Sequence, residues 1–387
     1  MTSPPGPRPG RPARSLPAAA RFGRRTATGL AEVTDDLAAL DRGGFWAVVV
    51  DFEGKATCAR FTDVRDVADA VADPDADAGP DDHPGSPGEW RAPDPADWTS
   101  SMSQAQYVEA VRRARERIAA GDFYQVNLCR VLTAPLPDPA RADVLALQRR
   151  LAAGNPAPYA AAVRLPEHGL HVASASPELY LRRSGAVVES GPIKGTGRTA
   201  ADLLEKDRAE NVMIVDLVRN DLGRVCRIGS VTVPRLCAVE PHPGLVHLVS
   251  TVRGELRPDA GWPELFAASF PPGSVTGAPK SSALRTIEEL EPVPRGPYCG
   301  AVGWVDADRG EAELAVGIRT FWVEHGPAAG RADGRSVVRF GTGAGITWGS
   351  DPEREWQETR LKAARLMALA SSGGAAETLP GATEGTP

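Results

Sequence analysis

Segments with the apolar pattern of β-strands outnumber helical segments in this chain, and several of them follow one another in runs. Few places show the strict alternation of strand and helix that builds a doubly wound parallel sheet. Runs of strands that are segregated from helices are typical of α+β proteins. The order of the elements therefore predicts an α+β fold.

The individual elements follow from residue periodicity and from glycine and proline stops. A hairpin is predicted over residues 44–61, where two apolar runs flank a short turn. Helices are predicted over residues 107–118, 141–153, 200–218, 262–268, 280–290 and 352–370. Further strands are predicted over residues 124–132, 157–165, 169–175, 179–183, 187–193, 301–305, 313–319 and 336–340.

Composition excludes several classes of protein. The 44 Lys and Arg residues are outnumbered by 50 Asp and Glu residues, and the net charge of −6 argues against a basic nucleic-acid binder. There is no run of about 18 apolar residues, so we expect no membrane-spanning helix and no membrane partner. Five cysteines without a CxxC spacing argue against a disulfide framework and a zinc site. A cytoplasmic protein is the expectation.

Proline, glycine and acidic residues divide the chain into parts. The basic, proline-rich residues 1–27 predict a disordered leader, and residues 28–62 a short strand-containing segment. Residues 63–100 are rich in Asp, Pro and Gly and cannot bury much apolar surface, so a solvated acidic linker is predicted. Residues 101–372 have the composition of a globular domain, and residues 373–387 predict a disordered tail.

Two predicted helices each carry a pair of carboxylates three residues apart, which places each pair on one helix face. The pairs are Asp207 with Glu210, and Glu355 with Glu358. Four oxygen donors from two helices suit a hard cation such as Mg²⁺. The alternative is that they are solvated residues near helix N-termini, where acidic side chains interact favourably with the helix dipole. Lys362 lies on the Glu358 face and is either a substrate-binding cation or one half of a surface ion pair.

Lys194 stands at the end of a predicted strand, between Ile193 and Gly195. A lysine in a pocket loses its proton through desolvation and becomes a nucleophile. Glu178, in the motif SPELY, is a candidate general acid or base. The alternative for each residue is an ordinary surface charge.

Three further features are ambiguous from the residues alone. His247 is isolated among apolar residues, which is more typical of a core histidine than of a catalytic one, and it is kept as a third catalytic candidate. The glycines of GTGAG (341–345) either let the backbone approach an anion or form a plain turn. The segment GSVTGAPK (273–280) is either an anion-binding helix start or a well-made helix N-terminus.

Taken together, these segments resemble the chorismate-utilising enzymes, and within that family the group that forms 4-amino-4-deoxychorismate on the way to p-aminobenzoate. Nine motifs match in order over about residues 104–370. They are AGDFYQVNL (120–128), SPELY (176–180), PIKGT (192–196), DRAENVMIVDLVRNDLGRV (207–225), HLVSTVRGEL (247–256), FPPGSVTGAPK (270–280), RGPYCGAVGW (295–304), GIRT (317–320) and GTGAGITWGSDPEREWQETRLKA (341–363).

The resemblance implies a large antiparallel sheet core wrapped by helices, and it makes residues 101–372 a chorismate-binding catalytic domain. It also implies Mg²⁺ as the cofactor, held by Glu210 and Glu358 with Asp207 and Glu355 nearby. The residues that it implies for substrate binding are Thr196, Thr276, Tyr298, Arg319, Gly343, Ala344, Gly345 and Lys362.

Lys194 distinguishes sister activities within this family, because PIKGT is characteristic of aminodeoxychorismate formation and PIAGT of anthranilate formation. The resemblance implies that the Lys194 amine adds to ring C2 of chorismate as the C4 hydroxyl leaves. Glu178 matches the group that protonates this hydroxyl. Ammonia then attacks C4 and expels the lysine.

The ammonia is expected to come from a separate glutaminase subunit, because none of the five cysteines lies in the glycine-flanked nucleophile element of a glutamine amidotransferase. Two alternatives remain open from the sequence. The first is an anthranilate or isochorismate-type enzyme on the same scaffold. The second is a non-catalytic regulatory subunit that kept the fold, which would predict the loss of Lys194 and of the metal positions.

Overall fold

The strands of this protein form one antiparallel ladder in the computed structural model, which describes residues 16–66, 88–197, 199–242, 245–326 and 334–372. Eighteen strands are described. They are β1 (Ala19–Phe22), β2 (Arg25–Thr34), β3 (Phe45–Val50), β4 (Ala56–Asp66), β5 (Thr99–Ser100), β6 (Gln125–Pro135), β7 (Tyr159–Leu165), β8 (Leu170–Ser176), β9 (Leu179–Ser184), β10 (Val187–Gly191), β11 (Ile193–Gly197), β12 (Thr232–His242), β13 (Leu245–Glu255), β14 (Gly277–Ala278), β15 (Ala301–Asp306), β16 (Glu311–Val316), β17 (Thr320–Glu324) and β18 (Val337–Ile346).

Pairing runs along the ladder from β12 to β6, and each pair of neighbours is antiparallel. From β12 the order is β13, β10, β9, β16, β15, β3, β4, β2, β1, β7, β8, β17, β18 and β6. The strand β11 also pairs with β13, and the two-residue strands β5 and β14 pair with β6. Half of these pairs join strands that are not consecutive in the chain, such as β3 with β15 and β6 with β18, so the sheet depends on non-local pairing as well as on hairpins.

Six α-helices are described, and several of them pack on the ladder near its β13 and β18 strands. They are α1 (Gln104–Ala120), α2 (Val144–Gly154), α3 (Glu205–Gly223), α4 (Trp262–Ser269), α5 (Lys280–Leu290) and α6 (Pro352–Ala370). The helix α1 begins with a capping box at Ser103 and ends at Gly121 in the left-handed conformation. Tyr107, Val111 and Ala114 form its buried stripe.

The β6 end and the middle of the ladder share one hydrophobic core. Val126 and Leu128 of β6 lie in the same buried cluster as Val302 and Val305 of β15. A second cluster lies under α2 and the end of α6. The prediction of an α+β fold with a large antiparallel sheet core wrapped by helices is confirmed.

The N-terminal boundaries differ from those predicted. The leader was predicted to extend to residue 27, but β1 and the start of β2 lie in residues 19–27, and Ala19 and Ala20 are fully buried against β7. The hairpin of β3 and β4 pairs with β15, so residues 28–62 are part of the main sheet. Local composition did not indicate this because the partners of these strands lie far away in sequence.

The acidic linker is also shorter than the predicted 63–100. The strand β4 continues to Asp66, and β5 pairs with β6. Trp90 is buried and its indole N–H donates to the carbonyl of Ala370 at 2.9 Å, which ties this segment to the end of α6. Residues 67–87, the first fifteen residues and the predicted tail lie outside the described residues.

Several strands were missed and one was misplaced by periodicity. The paired strands β12 and β13 were not predicted. The strand predicted over residues 313–319 ends at Val316, and β17 starts at Thr320. Arg319 between them has a φ of +53°, which interrupts extended backbone. None of the described helices combines the length and apolar character needed to cross a membrane.

Candidate active site

A cavity of about 890 Å³ lies between the helices α3 and α6 and the strands β11 and β18. The residues that line it come from positions as far apart in the sequence as Asn127 and Leu366. Twelve of the residues singled out from the sequence line it: Glu178, Lys194, Asp207, Glu210, His247, Tyr298, Arg319, Gly343, Gly345, Glu355, Glu358 and Lys362. This is the candidate active site.

Lys194 lies in β11 and points its amine into the wall of this cavity. Its Nζ donates a hydrogen bond to the carbonyl oxygen of Ser274 at 3.3 Å. Burial lowers the pKa of Lys194, and the nearby carboxylates of Glu210 and Glu178 oppose that shift. The next residue, Gly195, has a φ of +78°, and an added Cβ there would lie 2.9 Å from the Cβ of Asp207. Glycine therefore lets β11 approach α3 closely.

Glu178 sits on the connection between β8 and β9 and is only 5% exposed. Its backbone is fixed, because its N–H donates to the Ser176 hydroxyl and its carbonyl accepts from Val316. Burial raises the pKa of the Glu178 carboxyl. Hydrogen bonds from the Ser274 hydroxyl and from the Ile193 N–H, together with the charge of Lys194, oppose the shift. A raised pKa keeps a carboxyl protonated closer to neutral pH, as a general acid requires.

The predicted carboxylate pairs face the cavity from the two helices. Burial raises the pKa of Glu210, and the neighbouring Asp207 and Glu358 raise it further against the effect of Lys194. Burial also raises the pKa of Glu355, with Glu358 adding to the shift. The carboxylates thus repel one another, and a divalent cation would relieve that repulsion.

These side chains do not form a closed cage. Within the described ranges of the chain, no three Asp, Glu, His or Cys side chains converge into a metal-ligating cluster. The carboxylate of Glu358 is paired with the Lys362 amine at 2.7 Å, and both side chains are about half exposed. Mg²⁺ commonly takes one or two protein carboxylates and keeps several waters. The donor set therefore fits Mg²⁺ held in an open site.

Cationic and backbone groups occupy another part of the cavity. Burial lowers the pKa of Arg319. Its guanidinium has neither a hydrogen-bond nor an ion-pair partner among the described residues, so its donors are available to an anion. The Lys362 amine donates to the Gly343 carbonyl at 3.2 Å. The ring of Tyr298 packs on Gly341, where an added Cβ would lie 2.0 Å from the ring.

Two residues predicted to bind substrate are not among those that line the cavity, and the side chain of a third is not described. Thr276 is fully buried, and its hydroxyl donates to the carbonyls of Pro272 and Gly273 instead of reaching the cavity. Ala344 is fully buried in the main core. The side chain of Thr196 lies outside the described part of the structure, although its backbone pairs with that of His247.

His247 does line the cavity and is only 3% exposed. It belongs to β13, with Thr196 of β11 and Glu240 of β12 as its pairing partners. Its catalytic role stays a prediction.

Several cavity residues were not singled out from the sequence, including Asn127, Lys206 and Ser274. Asn127 and Ser274 both fall inside motifs that carried the family resemblance. Their side chains are neutral, however, and nothing in the linear pattern tells a cavity serine from a turn serine. Only the contact of Ser274 with Lys194 distinguishes it.

Comparison with known proteins finds a matching family model and similar relatives. Residues 45–368 match the family model described as chorismate binding enzyme. The chain is 43% identical over 282 residues to anthranilate synthase component 1 of Streptomyces coelicolor, covering 70% of this chain and 52% of that protein. It is 38% identical over 284 residues to aminodeoxychorismate synthase component 1 of Escherichia coli, covering 70% of this chain and 59% of that protein. The chain thus matches little more than half the length of these relatives.

Solved structures share the fold at lower identity. Anthranilate synthase component I of Streptococcus pneumoniae superposes with a TM-score of 0.70 at 23% identity, covering 91% of this chain and 93% of that one. The menaquinone-specific isochorismate synthase of Escherichia coli gives a TM-score of 0.70 at 18% identity, covering 93% of this chain and 90% of that one. At this identity the likeness concerns the fold alone.

Proposed function

Because this chain belongs to the family of chorismate binding enzymes, we propose that it converts chorismate and ammonia to 4-amino-4-deoxychorismate through a covalent adduct on Lys194. The proposal rests mainly on one observation. The Lys194 amine lies in the cavity wall beside the buried carboxyl of Glu178, with burial lowering the pKa of the amine and raising that of the carboxyl. A neutral amine next to a protonated acid is the arrangement that a nucleophile and its acid partner need.

Each bond that forms in the proposed reaction is matched by one that breaks. The neutral Lys194 amine forms a bond to ring C2, the ring double bonds shift, and the C4–O bond breaks. Glu178 gives its proton to the departing hydroxyl, which leaves as water. Ammonia then forms a bond to C4, the double bonds shift back, and the C2–N bond to Lys194 breaks. The Lys194 amine leaves in its neutral starting form. The added nitrogen then loses one proton, which restores the protonated Glu178 carboxyl.

The substrate carboxylates are proposed to bind at opposite sides of the cavity. Arg319, whose guanidinium has no partner among the residues that the structure describes, supplies its donors to one carboxylate. Glu210 and Glu358 would hold Mg²⁺ near the other, with Glu355 and Asp207 close by. When bound, Mg²⁺ would neutralise a substrate carboxylate and help to orient the ring. The chain's own part is to place C2 beside Lys194.

Ammonia is proposed to come from a separate glutaminase subunit, and a cytoplasmic location is proposed with it. The relatives named component 1 of anthranilate synthase and of aminodeoxychorismate synthase support this proposal, because such a name implies a second component. An amination assay with ammonium, compared with glutamine as the only nitrogen source, tests this. Activity with glutamine by the purified chain would contradict the proposal.

A second product is favoured by a specific comparison. The 43%-identical relative from Streptomyces coelicolor is named anthranilate synthase component 1. Incubation with chorismate, Mg²⁺ and ammonium, followed by a lyase that releases p-aminobenzoate, separates the two products. Anthranilate in place of p-aminobenzoate would overturn the proposal, and isochorismate would do the same.

Mass spectrometry of the intact protein tests the covalent step. With chorismate and no ammonia, the protein is expected to gain the mass of chorismate less one water. The adduct should map to Lys194 after digestion and be absent from Lys194→Ala. The matched control is Lys206→Ala, which removes another lysine of the same cavity and should leave the adduct in place.

A further inference from the structure

Arg130 of β6 is buried against α6, the helix that carries Glu355 and Glu358. Its Nε atom donates a hydrogen bond to the Thr359 hydroxyl at 3.0 Å. Its guanidinium carbon lies 4.2 Å from the centre of the Trp356 ring, a favourable cation–π contact. None of these three contacting residues is among those that line the cavity. Their contacts therefore reach the cavity only through the helix.

The buried stripe of α6 decides which way its carboxylates point. Trp356 and Thr359 belong to that stripe, and Thr359 is fully buried. Each of them directly follows one of the proposed metal ligands, Glu355 and Glu358. Successive helix residues differ in direction by about 100°, because one turn takes about 3.6 residues. A contact that holds Trp356 and Thr359 against the sheet therefore sets the direction of both carboxylates.

We propose that Arg130 is a positioning residue that fixes the rotation of α6 and so directs Glu355 and Glu358 toward the proposed Mg²⁺ site. A second contact from the sheet acts at the same point. Thr342 of β18 is the cross-strand partner of Arg130, and its hydroxyl donates to the Thr359 carbonyl at 2.9 Å. The sheet thus holds Thr359 by its side chain and by its backbone. This inference rests on the proposed function for the metal, and it does not depend on the product.

The partners of Arg130 in the described part of the chain are neutral. Besides the Thr359 hydroxyl and the Trp356 ring, its Nη1 donates to the Ser100 hydroxyl at 3.1 Å. The Thr359 hydroxyl itself donates to the Trp356 carbonyl at 2.8 Å. The Ser100 hydroxyl donates to the Met102 carbonyl at 2.7 Å. Arg130→Met therefore keeps most of the buried stem and leaves no carboxylate unpaired and neither hydroxyl without an acceptor.

The test measures metal affinity directly and without turnover. Bound Mn²⁺ is followed by EPR in the absence of substrate, and the affinity for Mg²⁺ is obtained from its displacement of Mn²⁺. Arg130→Met and Thr359→Val should each weaken Mg²⁺ binding about tenfold, because the residues that orient metal ligands contribute this much to affinity. Thr359→Ser keeps the hydroxyl that accepts from Arg130, so its affinity should stay within about twofold of the wild type.

Thr286→Val is the matched control. Thr286 is a buried threonine of α5, and its hydroxyl accepts a hydrogen bond from Nη1 of Arg117 at 2.8 Å. This variant removes an arginine–threonine contact of the same kind from a helix residue that does not line the cavity. Mg²⁺ binding should not change. A loss of affinity equal to that of Thr359→Val would indicate general loosening of the fold and would overturn the proposal.

The double variant Arg130→Met/Thr359→Val isolates the contact between the two residues. Because both substitutions remove the same contact, the double variant should bind Mg²⁺ about as well as Arg130→Met alone. Additive losses, or wild-type affinity in Arg130→Met, would overturn the proposal. Thermal melts should show that every variant is folded at the assay temperature. A wild type that binds no Mg²⁺ would overturn this inference and the proposed metal site together, whereas formation of anthranilate would overturn only the proposed product.

Discussion

The two walls of the cavity use the same kinds of charged residue in opposite ways. The strand wall consists of Glu178, Lys194 and Ser274, which lie on strands or tight connections; Glu178 and Ser274 are buried and Lys194 is partly buried. The helix wall carries Glu358 and Lys362 on α6, with about half of each side chain exposed. One wall is held by backbone that pairs within the sheet, and the other projects long side chains from a helix face.

This difference in solvent exposure gives the two walls of the cavity different chemical roles. On the strand wall, desolvation moves the pKa values of an amine and a carboxyl toward each other, which favours proton and bond transfer. On the helix wall, Glu358 stays in contact with solvent, so a cation bound there can keep its waters. Burial therefore suits the reacting groups, and exposure suits the metal.

Removing the nucleophile tests the strand wall most severely. We expect Lys194→Ala to lower the rate of 4-amino-4-deoxychorismate formation by more than about 10³-fold, because no other group can form the covalent intermediate. Product analysis by chromatography should also show any diversion of ammonia toward C2. A variant that keeps the wild-type rate and product would show that the amine does not react. Lys206→Ala is the matched control.

Removing the acid should leave a signature in the pH profile. An acid donates only while protonated, so the wild-type rate should fall at high pH once the carboxyl and the amine are both deprotonated. We expect Glu178→Gln to lower kcat about 10²- to 10³-fold and to abolish this alkaline decline. The rate should then rise with pH through the Lys194 pKa and stay level. Persistence of the alkaline decline in the variant would assign it to another group.

Removing a negative charge from the helix wall tests the proposed metal site. Glu358→Gln should weaken the apparent affinity for Mg²⁺ about 10- to 100-fold, because a cation site depends on the number of charged ligands. Activity measured over a Mg²⁺ titration gives this value. The matched control is Glu353→Gln on the same helix, whose carboxylate accepts from Gln104 at 2.8 Å outside the cavity. Equal Mg²⁺ curves for the two variants would contradict the metal assignment.

Among these substitutions, we expect the one at Lys362 to change the kinetics least. Its amine is half exposed, and solvent screens its interaction with an anion. We expect Lys362→Gln to raise KM for chorismate about fivefold with little change in kcat. Steady-state kinetics check this, and a large fall in kcat would instead place Lys362 among the reacting groups. A small rise in KM for Lys362→Gln, compared with a large loss of rate for Lys194→Ala, would support different roles for the two walls.

Much of the site could be predicted from the sequence because its residues carry charge inside recognisable motifs. Glu178, Lys194 and the four carboxylates were found in this way, and the cavity contains all of them. Thr276 was assigned to substrate binding because it lies in such a motif, yet its hydroxyl closes a turn. A motif identifies a conserved local geometry but does not say which of its side chains face the ligand.

The sequence by itself determined the α+β class, the six helices and the types of reacting group, because these depend on local periodicity and on side-chain chemistry. Tertiary structure alone decided the pairing of β13 with β10, the incorporation of residues 19–27 into the sheet and the contact of Ser274 with Lys194. Each of these depends on partners that are distant in the chain. Non-local pairing leaves no periodic signal at either partner, so only the folded arrangement reveals it.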